Sequence, residues 1–139
     1  MNWLSKFILS AVGHKVLEEV CCEPDPTEEN VGIHLLSDYG NHYEYISEEP
    51  TELSAVELIN SLDWEHGFFQ VIVTLASGLS MEVGGSLNGV DGLSGVYRNR
   101  TEHQQLVTSV PPESTEDMVE IIKSFIYQDG QWKGKYQFN

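Results

Sequence analysis

The densest group of functional side chains in the sequence is Asp63-Trp64-Glu65-His66, which combines two carboxylates, an indole and an imidazole. Trp64 has two interpretations. It either caps the core at the end of a helix, or it is an aromatic anchor inside an acidic rim, an arrangement found at protein interfaces. The other histidines are scattered, and no serine lies in a Gly-x-Ser-x-Gly nucleophile elbow. The cluster therefore points to no particular reaction.

The two cysteines, Cys21 and Cys22, are adjacent in the sequence. Neighbouring cysteines rarely meet disulfide geometry, so we expect two free thiols in a reducing compartment. The acidic loop beside them makes them poor nucleophiles. A metal site would need two more ligands, such as His14 and His34, and no motif fixes that spacing. We therefore expect neither a metal nor a cofactor.

The stretch MEVGGSLNGVDGLSGVY, residues 81–97, contains five of the twelve glycines. It lacks the lysine of a Walker phosphate loop, and no helix follows it, as a dinucleotide site would require. Asn88 and Asp91 could contact calcium, but the ladder of acidic ligands in an EF-hand is absent. The glycines are instead typical of bends and bulges between two strands of a meander.

The first residues, MNWLSKFILSAVGHKVLEEV, show the apolar spacing of an amphipathic helix over residues 3–16. The apolar run is too short for a signal peptide or a bilayer span. Core packing is the favoured role of this helix, with membrane or partner docking as the alternative. The sequence thus predicts a cytoplasmic protein.

The remaining pattern alternates strands and helices. After a predicted acidic loop at residues 21–30, we expect a hairpin (31–36 and 42–47), a helix beginning near Pro50, and strands at 68–76, 79–83, 93–97 and 103–110. Ser114 and Asp117 form a capping box before a second clear helix. The alternating aromatics in QWKGKYQF predict a last strand. The expected fold is one α+β domain, residues 1–139, with a mostly antiparallel sheet of about five to seven strands against two or three helices.

The charge of the chain limits its partners. There are 22 acidic and 7 basic residues, giving a net charge of −15, and residues 16–97 contain no Lys or Arg. Such a surface repels nucleic acid and anionic membranes, and it attracts basic proteins at long range. Solubility alone is the alternative explanation. Acidic pairs such as Glu48-Glu49 lie among many equivalent acids, which favours a solvated face over a glycosidase pair.

Three segments carry a family resemblance: the strand and turn GLSMEVGGS, the strand ending in Gly95-Val96-Tyr97, and the PPESTE entry to a helix that ends FIYQDGQW. In this order they resemble the small α+β immunity proteins of bacterial polymorphic-toxin systems, especially inhibitors of nucleic-acid deaminase toxins. The similarity covers residues 51–139. Residues 1–50, the predicted helix and hairpin, lie outside it.

This resemblance implies a protein that is not an enzyme and that blocks a cognate toxin domain with a basic surface. Acids and aromatics on predicted loops and edges are the mix that interfaces favour. The predicted partner-binding residues are therefore Asp38, Tyr39, Tyr43, Glu44, Glu48, Glu49, Trp64 and Glu65. The alternatives are a small enzyme or ligand-binding domain, suggested by the histidines and carboxylates, and an acidic adaptor.

Overall fold

The computed structural model describes residues 25–88, 90 and 92–139. In chain order, the described elements are α1 (Pro26–Glu29), β1 (Gly32–Ser37), β2 (His42–Ser47), α2 (Glu52–Ser61), β3 (Phe69–Ala76), β4 (Leu79–Gly85), β5 (Leu93–Asn99), β6 (Gln104–Val107), α3 (Thr115–Tyr127) and α4 (Trp132–Lys135). The predicted first helix and the two cysteines lie outside the described residues.

The strands form one antiparallel sheet in the order β2-β1-β3-β4-β5-β6. Strands β3 to β6 are a meander, because each pairs with the next along the chain. The β1–β2 hairpin joins this meander through β1, which pairs with β3. The predicted α+β class with a mostly antiparallel sheet is confirmed, and the hairpin extends the same sheet as the rest.

The core lies between one face of the sheet and helices α2 and α3. Alternate strand residues point to the helices, as the period of two in a strand requires. In β3 and β4 these are Val71, Val73, Met81 and Val83, all fully buried. Across from them, the apolar stripe of α3 supplies Met118, Ile121, Ile122 and Phe125. The sequence predicted these two strands and this helix.

Both long helices begin at a side-chain cap. The Thr51 Oγ1 accepts the Ser54 N–H at 3.2 Å, so α2 begins just after Thr51 rather than at Pro50. The Ser114 Oγ accepts the Asp117 N–H at 3.2 Å, as the predicted capping box requires. The Asp117 carboxylate, however, accepts the N–H of Glu113 at 2.8 Å, one residue before the cap.

Two predicted segments differ in the structure. The acidic loop at residues 21–30 contains the single-turn helix α1, because Asp25 caps the Thr27 N–H and Pro26 occupies the first helical position. The predicted last strand contains instead the short helix α4, with Trp132 at its start and Tyr136 just after its end, four residues apart and both buried. The isolated bridge between Thr108 and Phe138 joins this segment to the end of the sheet, and beside it Val107 and Asn139 exchange backbone hydrogen bonds of 2.9 Å. Alternation of aromatics in a segment this short fits a helical turn equally well.

The opposite face of the sheet is also buried, but it carries polar side chains. Glu82, which is 2% exposed, accepts a hydrogen bond at each carboxylate oxygen: from Arg98 Nη1 at 3.0 Å and from Gln70 Nε2 at 3.1 Å. A buried carboxylate is stable only when it is paired and hydrogen-bonded in this way. No local sequence pattern indicates this network.

Candidate functional site: an acidic-aromatic cleft

A cleft of about 510 Å³ lies at one end of the sheet, where three loops meet. These loops follow β1, precede β3 and follow β4. They meet because Phe69, the first residue of β3, pairs with Ser37 at the end of β1 and with Gly85 at the end of β4. Gly84, next to Gly85 in β4, lets the backbones of β4 and β3 lie close together, because a Cβ at this position would lie 2.6 Å from the Phe69 carbonyl oxygen. We call this site the acidic-aromatic cleft and define it by Asp38, Tyr39, Glu65, His66, Phe68 and Asn88.

The hairpin turn presents Asp38 and Tyr39 to the cleft. Both residues have left-handed backbone angles, with φ of 52° and 55°, in the four-residue turn that joins β1 to β2. Aspartate tolerates this conformation well, whereas a bulky residue such as tyrosine seldom adopts it. The Tyr39 ring stacks on Phe68, with centroids 4.1 Å apart and planes 14° from parallel. Tyr39 is 65% exposed, so much of its ring remains available to a ligand.

His66 is held in the cleft wall by Asp63. The Nδ1 of His66 lies 2.9 Å from one Asp63 carboxylate oxygen and 3.1 Å from the other. This hydrogen bond lowers the pKa of Asp63 below its ordinary value. When the imidazole is neutral with its proton on Nδ1, the Nε2 atom carries the lone pair and can accept a proton or a hydrogen bond.

Trp64 lies beneath the cleft and not on its surface. It is 2% exposed, its Nε1 donates to the Ile59 carbonyl at 2.8 Å, and its ring contacts Phe69 edge-on. Its own carbonyl accepts hydrogen bonds from the Leu87 N–H and the Ser86 hydroxyl. The expectation that Trp64 is an aromatic anchor in the partner-binding surface is therefore wrong. Trp64 packs in the core at the end of a helix, which was the other interpretation of this residue.

The structure separates the remaining predicted contact residues into three places. Asp38, Tyr39 and Glu65 share the cleft. Tyr43 and Glu44 lie on the exposed edge strand β2, with their side chains on opposite faces. Glu48 and Glu49 are exposed at the other end of β2, about 20 Å from the turn at roughly 3.3 Å per residue.

Tyr43 belongs to a buried histidine site. His34 is completely buried. Its ring stacks with the rings of Tyr45 and Tyr43, with centroid distances of 4.8 Å and 5.8 Å. The His34 Nε2 lies 2.8 Å from the Asn30 carbonyl, which only accepts, so Nε2 carries the proton. The Nδ1 therefore accepts a hydrogen bond from the Tyr43 hydroxyl at 2.8 Å. Burial lowers the pKa of His34, and the Asn30 hydrogen bond and the charge of Asp25 oppose this only in part.

This arrangement predicts a pH-dependent stability. Since the pKa of His34 is lower in the folded chain than its unfolded value of about 6.5, the unfolded chain takes up the proton first as the pH falls. Stability present above pH 6.5 should therefore be lost below it, by at most about 1.4 kcal/mol per pH unit. Urea unfolding at pH 7.5 and 5 should show a larger loss for the natural chain than for His34→Gln. His42→Gln, at an exposed position, is the control, and equal losses in all three proteins would contradict this prediction.

Two cleft residues had only weak signals in the sequence. Phe68 fits the alternating pattern of a strand, although β3 begins one residue later. From the sequence, Asn88 had only a possible role as a calcium ligand. Their place in the cleft depends on pairing between strands that are distant in sequence, which local patterns do not specify.

The chain has no significant match among protein-family models, curated proteins or solved structures. No helix in the described part of the chain is long and apolar enough to cross a membrane. Among the described residues, no three His, Cys, Asp or Glu side chains are grouped so as to hold a metal ion.

Proposed function

We propose that this chain is a cytoplasmic immunity protein that binds and neutralises a cognate bacterial toxin, one that acts on nucleic acid and has a basic surface. The observation that carries the proposal is the meeting of Asp38, Tyr39 and Glu65 in one cleft from two separate loops. None of the described residues that line this cleft is a Lys or an Arg.

The proposal has a physical basis in charge complementarity. An enzyme that acts on DNA or RNA uses a basic cleft to hold phosphates, and carboxylates can occupy the same positions. The net charge of −15 adds long-range attraction, which speeds association with a basic partner. The exposed ring of Tyr39 supplies the aromatic contact area that is enriched in protein interfaces.

The test requires a toxin domain, and the gene beside this one is the first place to look for it. The double variant Asp38→Lys/Glu65→Lys should slow association with that domain at low salt by at least about tenfold. Its matched control is Glu48→Lys/Glu49→Lys, which makes the same charge change at the far end of β2. The control should have a clearly smaller effect. The measurement is the association rate at low salt and at roughly 0.5 M salt, where charges are screened.

Each other outcome has a defined meaning. Equal slowing by both double variants would show that net charge matters and that the cleft is not the binding face. Unchanged association in both would reject acidic complementarity. A neighbouring toxin domain that remains active in the presence of this protein would reject the immunity function itself.

One observation favours a second function, a small enzyme or ligand-binding domain. The Asp63–His66 pair resembles the carboxylate and imidazole pairs that perform general base catalysis, and His66 borders a cleft of ligand size. If a small-molecule screen detects turnover, His66→Ala should abolish it and Asp63→Asn should reduce it. Turnover that survives His66→Ala would remove this candidate.

A further inference from the structure

Within the described part of the chain, no Lys or Arg pairs with the carboxylates of the cleft. The cations of the described chain contact other groups, away from the cleft: Arg98 with Glu82, Arg100 with Glu28 and Glu29, Lys123 with Glu52, Lys135 with Glu120, and Lys133 over the Trp132 ring. Neither Asp38 nor Glu65 forms an ion pair with any described residue. An incoming cation would therefore meet carboxylates whose charge is not already balanced.

The aromatic part of the cleft restricts the shape of that cation. The Tyr39 ring is backed on one side by Phe68, which fixes its plane at the cleft. A guanidinium group is planar and weakly hydrated, so it stacks on an aromatic ring and still directs N–H groups to carboxylates. An ammonium group is compact and strongly hydrated, and it gains less from such a surface. The combination of ring and carboxylates therefore favours arginine over lysine.

We propose that the acidic-aromatic cleft is an arginine subsite, in which a partner's guanidinium stacks on Tyr39 and pairs with Asp38 and Glu65. This inference rests on the proposed function, because it names the group on the toxin that the cleft receives. The cleft volume of about 510 Å³ lies within the range of roughly 300–1,000 Å³ that is usual for sites that enclose a ligand. It thus has room for a whole arginine side chain and its neighbouring backbone.

The test uses three short peptides on the full isotope-labelled chain: acetyl-Gly-Arg-Gly-amide, the same peptide with lysine, and the same peptide with citrulline. Citrulline has nearly the shape of arginine without its charge, so it separates charge from shape. Backbone amide shifts should follow the arginine peptide in a saturable way at residues 38–40 and 65–67. The lysine peptide should bind about 2- to 5-fold more weakly, and the citrulline peptide should cause little shift.

Substitutions at the ring distinguish stacking from charge. Tyr39→Phe should keep the arginine affinity, whereas Tyr39→Leu should reduce it about 2- to 5-fold. Glu102→Gln, in the exposed turn after β5 at the other end of the sheet, is the control and should change nothing. Equal binding of arginine and lysine peptides, shifts that map away from the cleft, or an unchanged affinity in Tyr39→Leu would each overturn the proposal.

The peptide experiment needs no toxin, so its result is separate from that of the proposed function. If the arginine peptide fails to bind while the chain still neutralises a toxin, only the arginine subsite is wrong. If the peptide binds in the cleft while the neighbouring toxin is not inhibited, the immunity function is wrong and the subsite stands.

Discussion

Replacing Arg98 with methionine is expected to lower the free energy of unfolding by about 3–5 kcal/mol. Arg98 is the ion-pair partner of Glu82, and its side chain is only 13% exposed. Methionine fills much of the same space but cannot donate a hydrogen bond or balance the charge. Glu82 would then be a buried carboxylate with only the Gln70 amide as a described partner. Leaving one charge of a buried pair without its partner costs far more than the pair itself contributes.

Lys135→Met is the matched control for this prediction. Lys135 pairs with Glu120 at 3.1 Å, but the two side chains are 59% and 51% exposed. Because water screens such a pair, its loss should cost about 1 kcal/mol or less. The double variant Glu82→Gln/Arg98→Met should recover at least half of the Arg98→Met loss, since it removes the uncompensated charge. Urea unfolding measures all three, and equal losses in the two single variants would contradict a special role for the buried pair.

The network around Glu82 shows what local sequence patterns leave open. Alternation along β4 places Leu79, Met81 and Val83 on one face, and therefore Glu82 on the other. Alternation does not indicate whether that second face is exposed or buried. An isolated acid between apolar residues is typical of the solvated face of a strand. The structure shows that Glu82 is buried and that Arg98, on the neighbouring strand β5, is its partner.

The parts of the fold that were predicted well have a local physical cause. The stripe of α3 follows from the helical period, its first turn follows from the Ser114 cap, and β3 is a long run of β-branched and aromatic residues. The wrongly predicted last strand has no such dominant cause. Trp132 at the start of α4 and Tyr136 just after its end have a helical spacing of four. Trp132, Tyr136 and Phe138 also fit a strand spacing of two, and packing in the core decides between them.

The sequence indicated no cleft, although three of its residues were among the predicted contact residues. Asp38, Tyr39 and Glu65 were identified as contact residues by type, because acids and aromatics on turns favour interfaces. Their meeting in one cleft depends on the pairing of Phe69 with both Ser37 and Gly85, which no local pattern supplies. Trp64 has the same residue type as an interface anchor, so its burial could not be derived from type alone.

Trp64→Ala is expected to lower the free energy of unfolding by about 3–5 kcal/mol, because it removes a large buried aromatic side chain. It also leaves the Ile59 carbonyl without the Nε1 hydrogen bond. Trp64→Phe keeps most of the packing and loses that hydrogen bond, so a smaller loss of about 1–3 kcal/mol is expected. Glu65→Ala, at the exposed neighbouring position, should stay within about 0.5 kcal/mol of the natural chain.

The same three variants separate the two interpretations of Trp64. A core residue that supports the cleft should affect the arginine peptide only through loss of the folded state, so Trp64→Phe should bind it nearly as well as the natural chain does. Glu65→Ala should show the reverse, with normal stability and weaker peptide binding, because its carboxylate lines the cleft. If Trp64→Ala instead unfolds like the natural chain but no longer binds a partner, the indole acts as a surface contact.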